Sequence, residues 1–110
     1  MRDNVKGGAL TETTLFILLS LYEPNHGYGI MQFTESETHG RLTLGAGTLY
    51  GALNTLVKKG WITPLDEDES SRKKEYIITQ EGKKIVNTEI ERLEQVARIA
   101  KRIVGGANNA

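Results

Sequence analysis

The stretch that decides the fold runs Ala46-Gly47-Thr48-Leu49-Tyr50-Gly51-Ala52-Leu53-Asn54-Thr55-Leu56-Val57-Lys58-Lys59-Gly60-Trp61-Ile62-Thr63-Pro64-Leu65. Leu49, Leu53, Leu56 and Val57 stand at i, i+4, i+7 and i+8, the spacing of one helical face over Ala46 to Lys59. Lys58 and Lys59 suit the negative end of a helix dipole, and Gly60 is the expected stop. From Trp61 the period drops to about 2, so Trp61 to Leu65 reads as a strand that Pro64 confines to a sheet edge or a bulge. The polar run Asp66 to Lys73 turns the chain, and Glu75-Tyr76-Ile77-Ile78 returns. A helix is thus followed at once by a β-hairpin.

Upstream, residues 1–8 are polar with a Gly7-Gly8 pair and read as a flexible arm. Leu15, Leu18, Leu19 and Tyr22 mark a first helix from Thr11 to about Tyr22, widened by Phe16, Ile17 and Leu21. Pro24-Asn25-His26-Gly27 breaks it. A second helix from about Tyr28 to Ser36 buries Ile30, Phe33 and Tyr28 and ends at His39-Gly40. Arg41-Leu42-Thr43-Leu44 alternates like a very short strand, and Gly45 turns the chain. Downstream, Thr79 can cap a last helix from Gln80 to Val104, before a tail, Gly105 to Ala110, expected to be disordered. The order is helix, helix, short strand, helix, hairpin, long helix. That is a mostly α (α+β) fold, a winged helix-turn-helix whose third helix would enter a DNA major groove with the hairpin alongside. The expected division is an arm at 1–8, the winged domain at 9–79, a dimerisation helix at 80–104 and a tail at 105–110.

The last helix is too long for so small a core: 25 residues make a rod of roughly 37 Å. Val86, Ile90, Leu93, Ala97, Ala100 and Val104 are spaced 4, 3, 4, 3 and 4, a heptad seam that Val96, Ile99 and Ile103 widen. The seam either packs on the chain's own helices or meets a second copy. The second is favoured, because a long exposed apolar stripe marks a partner interface.

The composition excludes several classes. The 110 residues contain no cysteine, so there is no disulfide frame, thiol nucleophile or thiolate metal site. The longest apolar run, Leu15 to Leu19, cannot span a membrane, and Glu12 and the lack of a small-residue cleavage site argue against a signal peptide. A cytoplasmic protein is expected. His26 and His39 lack the paired spacing of a zinc site, and the carboxylates Asp66 to Glu69 are consecutive in a turn rather than opposed across a cleft. Neither metal, cofactor nor catalytic site is expected. Leu42 to Gly51 imitates a dinucleotide fingerprint, but its glycines are spaced G-x-G-x-x-x-G and the next strand returns through a hairpin.

Candidate contacts lie on the third helix away from its apolar stripe: Gly47, Thr48, Tyr50, Gly51, Asn54, Thr55 and Lys58, with Thr43 and Ala46 at its start. Glycines and free N–H groups near a helix N-terminus suit close phosphate approach. Asn54 can read adenine bidentately, and Thr48 and Tyr50 can reach phosphates or base edges. Equally, Tyr50 can be packing and Asn54 a solvated face. Arg72-Lys73-Lys74 falls where a wing meets the DNA backbone or minor groove, though such a run is also an ordinary solvated surface. The chain has 14 basic and 14 acidic residues, yet residues 41–65 carry three basic and no acidic side chains. Neutrality overall therefore argues only against promiscuous binding.

Gly27-Tyr28-Gly29-Ile30, Gly47-Thr48-Leu49-Tyr50 with Leu53 and Leu56, Gly60-Trp61-Ile62, and Arg72 through Gly82 together resemble the PadR family of bacterial transcriptional regulators, over roughly residues 10 to 104. The single C-terminal helix resembles the smaller PadR subfamily. The resemblance implies a homodimeric repressor of a double-stranded operator, relieved by a small ligand, often aromatic, or another signal. It implies DNA contacts from Tyr28, Thr48, Tyr50 and the basic wing. It also implies that the last helix crosses the partner's first helix, which places Leu15, Phe16 and Leu19 opposite Val86, Ile90, Leu93, Val96, Ala97, Ala100 and Val104. Two departures stand out. Gly51, Asn54 and Thr55 replace the proline and basic residues often found there, weakening the expected phosphate contact. No aromatic residue follows Tyr76, against the tryptophan of multidrug-binding members. The competing reading is a winged-helix interaction or ligand-sensing module without DNA binding, motivated by the acidic run Asp66 to Glu69.

Overall fold

A computed structural model describes residues 8–65 and 74–108, with side chains of residues 107 and 108 left aside. Helix α1 spans Glu12–Ser20, strand β1 Asn25–His26, α2 Gly27–Glu37, α3 Ala46–Lys59, β2 Ile62–Pro64, β3 Glu75–Ile78 and α4 Gln80–Asn108. The architecture is a mostly helical winged helix-turn-helix carrying a three-stranded antiparallel sheet in the order β1-β3-β2. Ile62 pairs with Ile78 and Pro64 with Tyr76, so Pro64 lies on an edge strand, where its missing N–H breaks no ladder.

Each helix begins and ends for a local reason. Thr11 caps α1 by accepting from the Thr14 N–H at 3.1 Å. Gly60 ends α3 in the left-handed conformation at φ 78°, as the sequence suggests. Thr79 Oγ1 accepts from the Gly82 N–H at 3.1 Å and donates to the Gly60 carbonyl at 2.6 Å, so one hydroxyl both caps α4 and ties it to the end of α3. The core is built from Ile17, Leu18, Leu21, Ile30, Leu49, Leu53, Leu56, Trp61, Ile62 and Ile78, with Leu44 and Tyr76 at its edge. With Val86 of α4, these residues come from every element but β1.

Four expectations are corrected. Arg41 to Leu44 is not a strand: Thr38 Oγ1 accepts from the Leu42 N–H at 3.0 Å and the Arg41 N–H bonds the Thr38 carbonyl, closing a turn that uses the groups a ladder would need. The third strand is instead β1, within the segment read only as a helix break, where Asn25 pairs with Tyr76 and His26 with Glu75. Helix α4 does not stop at Val104 before a disordered tail. It continues through Gly105 and Gly106 to Asn108, since no proline interrupts the ladder and glycine only weakens it. Finally, Val86, expected on the dimer seam, is 1% exposed and belongs to the chain's own core. It lies in the second turn of α4, where that helix still rests on the domain.

Among the described residues no helix is long and apolar enough to cross a membrane, and no group of three or more histidine, aspartate or glutamate side chains could hold a metal ion.

Candidate nucleic-acid interface

Helix α3 is amphipathic: Leu49, Ala52, Leu53 and Leu56 are buried, whereas Ala46, Gly47, Thr48, Tyr50, Gly51, Asn54 and Lys58 are exposed. Its cap residue, Gly45, supplies no side-chain hydrogen bond, and no acidic residue stands in its first turn. The leading N–H groups thus face outward with their partial positive charge uncompensated, a favourable position for an anion. Thr43, just ahead, is exposed as well.

Tyr50 is half-exposed at 50%, and its hydroxyl lies so close over Gly27 that a side chain there would collide with it. It therefore has both roles left open by the sequence, packing against the start of α2 while offering a face to solvent. Its neighbour Tyr76 on β3 has its pKa raised, first by burial and then by the charge Tyr50 would carry. Tyr28, expected either in the core or on the DNA side, is 62% exposed, and its hydroxyl accepts from Gln32 Nε2 at 3.1 Å. The first residues of α2 and the outer face of α3 are thus joined at Gly27.

Of the basic wing, Arg72 and Lys73 fall outside the described residues, as does the acidic run Asp66 to Glu69. Lys74 is exposed, with its ammonium 5.9 Å from the centre of the Tyr76 ring.

Four features escaped the sequence reading. His26 Nδ1 accepts from the Gly29 N–H at 3.3 Å and so caps α2. Thr11 and Thr13 line a groove of about 500 Å³ with Gly47, Thr48, Gly51 and Thr55, putting the start of α1 beside the outer face of α3. Arg41 forms a two-pronged ion pair with Glu12. Glu89 is 2% exposed yet satisfied, accepting from the Leu10 N–H at 3.3 Å and from Arg92 at 2.7 and 2.8 Å. Only Thr11 had a legible signal, a hydroxyl just before an apolar helical run.

The expected dimer residues divide by position. Ile90, Leu93, Val96 and Val104 are between 42% and 58% exposed, and Ala97 and Ala100 are also open. Leu15 and Leu19 are partly buried against the core. Phe16, Tyr22 and Phe33 line an open hollow of about 530 Å³ together with Leu19, Glu37, Val86, Asn87 and Ile90.

With this geometry in place, comparison with known proteins decides the family. The model of the transcriptional regulator PadR-like family matches residues 15–88. The chain belongs to that family. PadR-like proteins are transcriptional regulators, not enzymes. A transcriptional regulator from Clostridium thermocellum is similar in structure at a TM-score of 0.67 with 26% identity, covering 86% of this chain and 90% of that one. The RosR structure from h. salinarum has a TM-score of 0.64 and 25% identity, over 92% and 96% of the two chains. A PadR family transcription regulator from Clostridium difficile R20291 shares the fold at a TM-score of 0.71 and 21% identity, over 86% and 99%. An uncharacterized 37.1 kDa protein in transposon TN4556 of Streptomyces fradiae is 31% identical over 97 residues. That match takes in 87% of this PadR-like chain but 26% of the relative, so the chain spans about a quarter of that protein's length.

Proposed function

We propose that this PadR-like chain acts in the cytoplasm as a homodimeric, sequence-specific DNA-binding regulator, a repressor relieved by a small ligand or another signal. The observation that carries the reading is the outer face of α3, where hydroxyl, amide, glycine and cationic groups occur together without a carboxylate between Arg41 and Leu65. Tyr28 and Tyr50 flank that face. Thr48, Tyr50 and Asn54 would touch base edges, and Lys58, Arg72, Lys73 and Lys74 phosphates. Dimerisation is supported by the apolar stripe on α4, which the chain's own core leaves open beyond Arg92. The aromatic hollow at Phe16 and Phe33 supports relief by a ligand, and it also suits a second reading, a sensing module that has lost DNA binding.

Fluorescence anisotropy on the duplex upstream of the protein's own gene separates the two. Binding should fall steeply with salt, with a log–log slope near −7 for about eight phosphates per dimer. Replacing Tyr50 or Lys73 with alanine should abolish retention while the dimer survives. A flat salt response, or no duplex binding at low salt beside tight ligand binding, would favour the sensing module.

A further inference from the structure

The ion pair between Glu12 at the start of α1 and Arg41 in the turn ahead of α3 is not used by the function proposed above. Arg41 stands in the turn four residues ahead of Gly45, and its backbone is held there by the Thr38 carbonyl at 3.0 Å. Its guanidinium grips both carboxylate oxygens of Glu12, Nη1 to Oε1 at 2.9 Å and Nη2 to Oε2 at 2.5 Å. Glu12 in turn lies between Thr11 and Thr13, which line the groove shared with Gly47 and Thr48 of α3. Glu12 is thus the chain neighbour of two groove residues, and Arg41 stands just ahead of the helix that would approach a duplex. Its side chains are 62% and 44% exposed, so water competes for both charges and the partner is readily exchanged. The flat fork of arginine fits a phosphate with the same two parallel bonds it makes to a carboxylate.

We infer that Arg41 is a DNA-backbone contact held in reserve, with the Glu12 carboxylate filling its fork until a duplex phosphate displaces it. The inference rests on the DNA-binding reading of α3. Glu12 keeps the guanidinium extended and oriented in the free protein. It also repels a phosphate at the same spot, so it lowers affinity for every duplex, including those whose bases do not match the reading helix. This adds a cation ahead of a helix that carries the uncharged Asn54 and Thr55 on its outer turns.

Opposite signs make the test decisive. The full-length protein, Glu12→Gln and Arg41→Gln are titrated by anisotropy across a salt series, using a duplex enriched from a random library. Glu12→Gln should tighten binding several-fold at low salt, and Arg41→Gln should weaken it and flatten the log–log slope by about 0.9 for each Arg41 withdrawn. Both variants lose the same ion pair, and Glu12→Gln also removes the acidic group from the first turn of α1, so a mere staple between the start of α1 and the turn would give no tighter binding in Glu12→Gln and no change of slope in Arg41→Gln. Binding that is unchanged or weaker in Glu12→Gln, or a slope unaltered in Arg41→Gln, would overturn the reserve contact and leave DNA binding intact. A wild-type protein that binds no duplex at low salt would remove the underlying reading as well.

Discussion

Two glycines show how one hydrogen atom in place of a methyl group supports the site. At Gly82 an added Cβ would run into the Trp61 carbonyl and the Ile78 side chain, neither of which can retreat without moving the hairpin. Gly82→Ala is expected to cost about 1–3 kcal/mol, read from the urea midpoint. At Gly27 the obstacle is the far end of the Tyr50 side chain, which is free to swing outward. Gly27→Ala should therefore leave the urea midpoint nearly unchanged but reposition Tyr50 and weaken duplex binding. The Arg41 guanidinium beside Glu12 holds that carboxyl below the usual carboxylate range. A lowered folded-state pKa stabilises the fold above the ordinary carboxylate range, and that contribution is lost as the pH falls through the lowered value. The pair is exposed, so solvent screening keeps the effect small. The stability gap between wild type and Glu12→Gln should accordingly close on acidification, followed by urea unfolding from neutral to acid pH.

Among the elements, α3 and the hairpin were readable because each obeys a period over enough residues: Leu49, Leu53 and Leu56 all reach the core, and Gly60 adopts the turn its lack of a side chain allows. Strand β1 was not readable, because two residues have no period, and Asn25 and His26 become a strand only through pairing with β3. The Arg41 to Leu44 alternation misled for the same reason in reverse, a pattern too short to outweigh the Thr38 turn. The outer face of α3 was legible residue by residue, but its link to α2 through Gly27 and Tyr50, and to α1 through Thr11 and Thr13, needed the tertiary arrangement. Along α4 the heptad spacing was visible, while the point where it leaves the core was not. Val86 and Glu89 are inside, and from Leu93 onward the apolar residues are open. Truncating Val86 to alanine should destabilise the fold by roughly 2 kcal/mol in urea unfolding. Leu93→Glu with Val96→Glu should leave that midpoint little changed and convert dimers to monomers in sedimentation.

The whole molecule measures 64 × 28 × 22 Å, its long dimension the extent expected when a 29-residue helix of about 43 Å projects from a small domain. Such a shape leaves much apolar surface on one chain and invites a symmetric partner. Two copies joined through α4 would carry two reading helices, and a two-fold operator would present matching major grooves about 34 Å apart. Overall neutrality is compatible with this, because residues 41–65 carry three basic and no acidic side chains, and it limits indiscriminate attraction to DNA. The most direct measurement is selection of the full-length protein on a random duplex library, followed by footprinting of the enriched site. A palindrome with half-sites about 10 base pairs apart, lost with Tyr50→Ala, is the expected result. A library that shows no enrichment at low salt, with the dimer intact, would contradict DNA reading by α3.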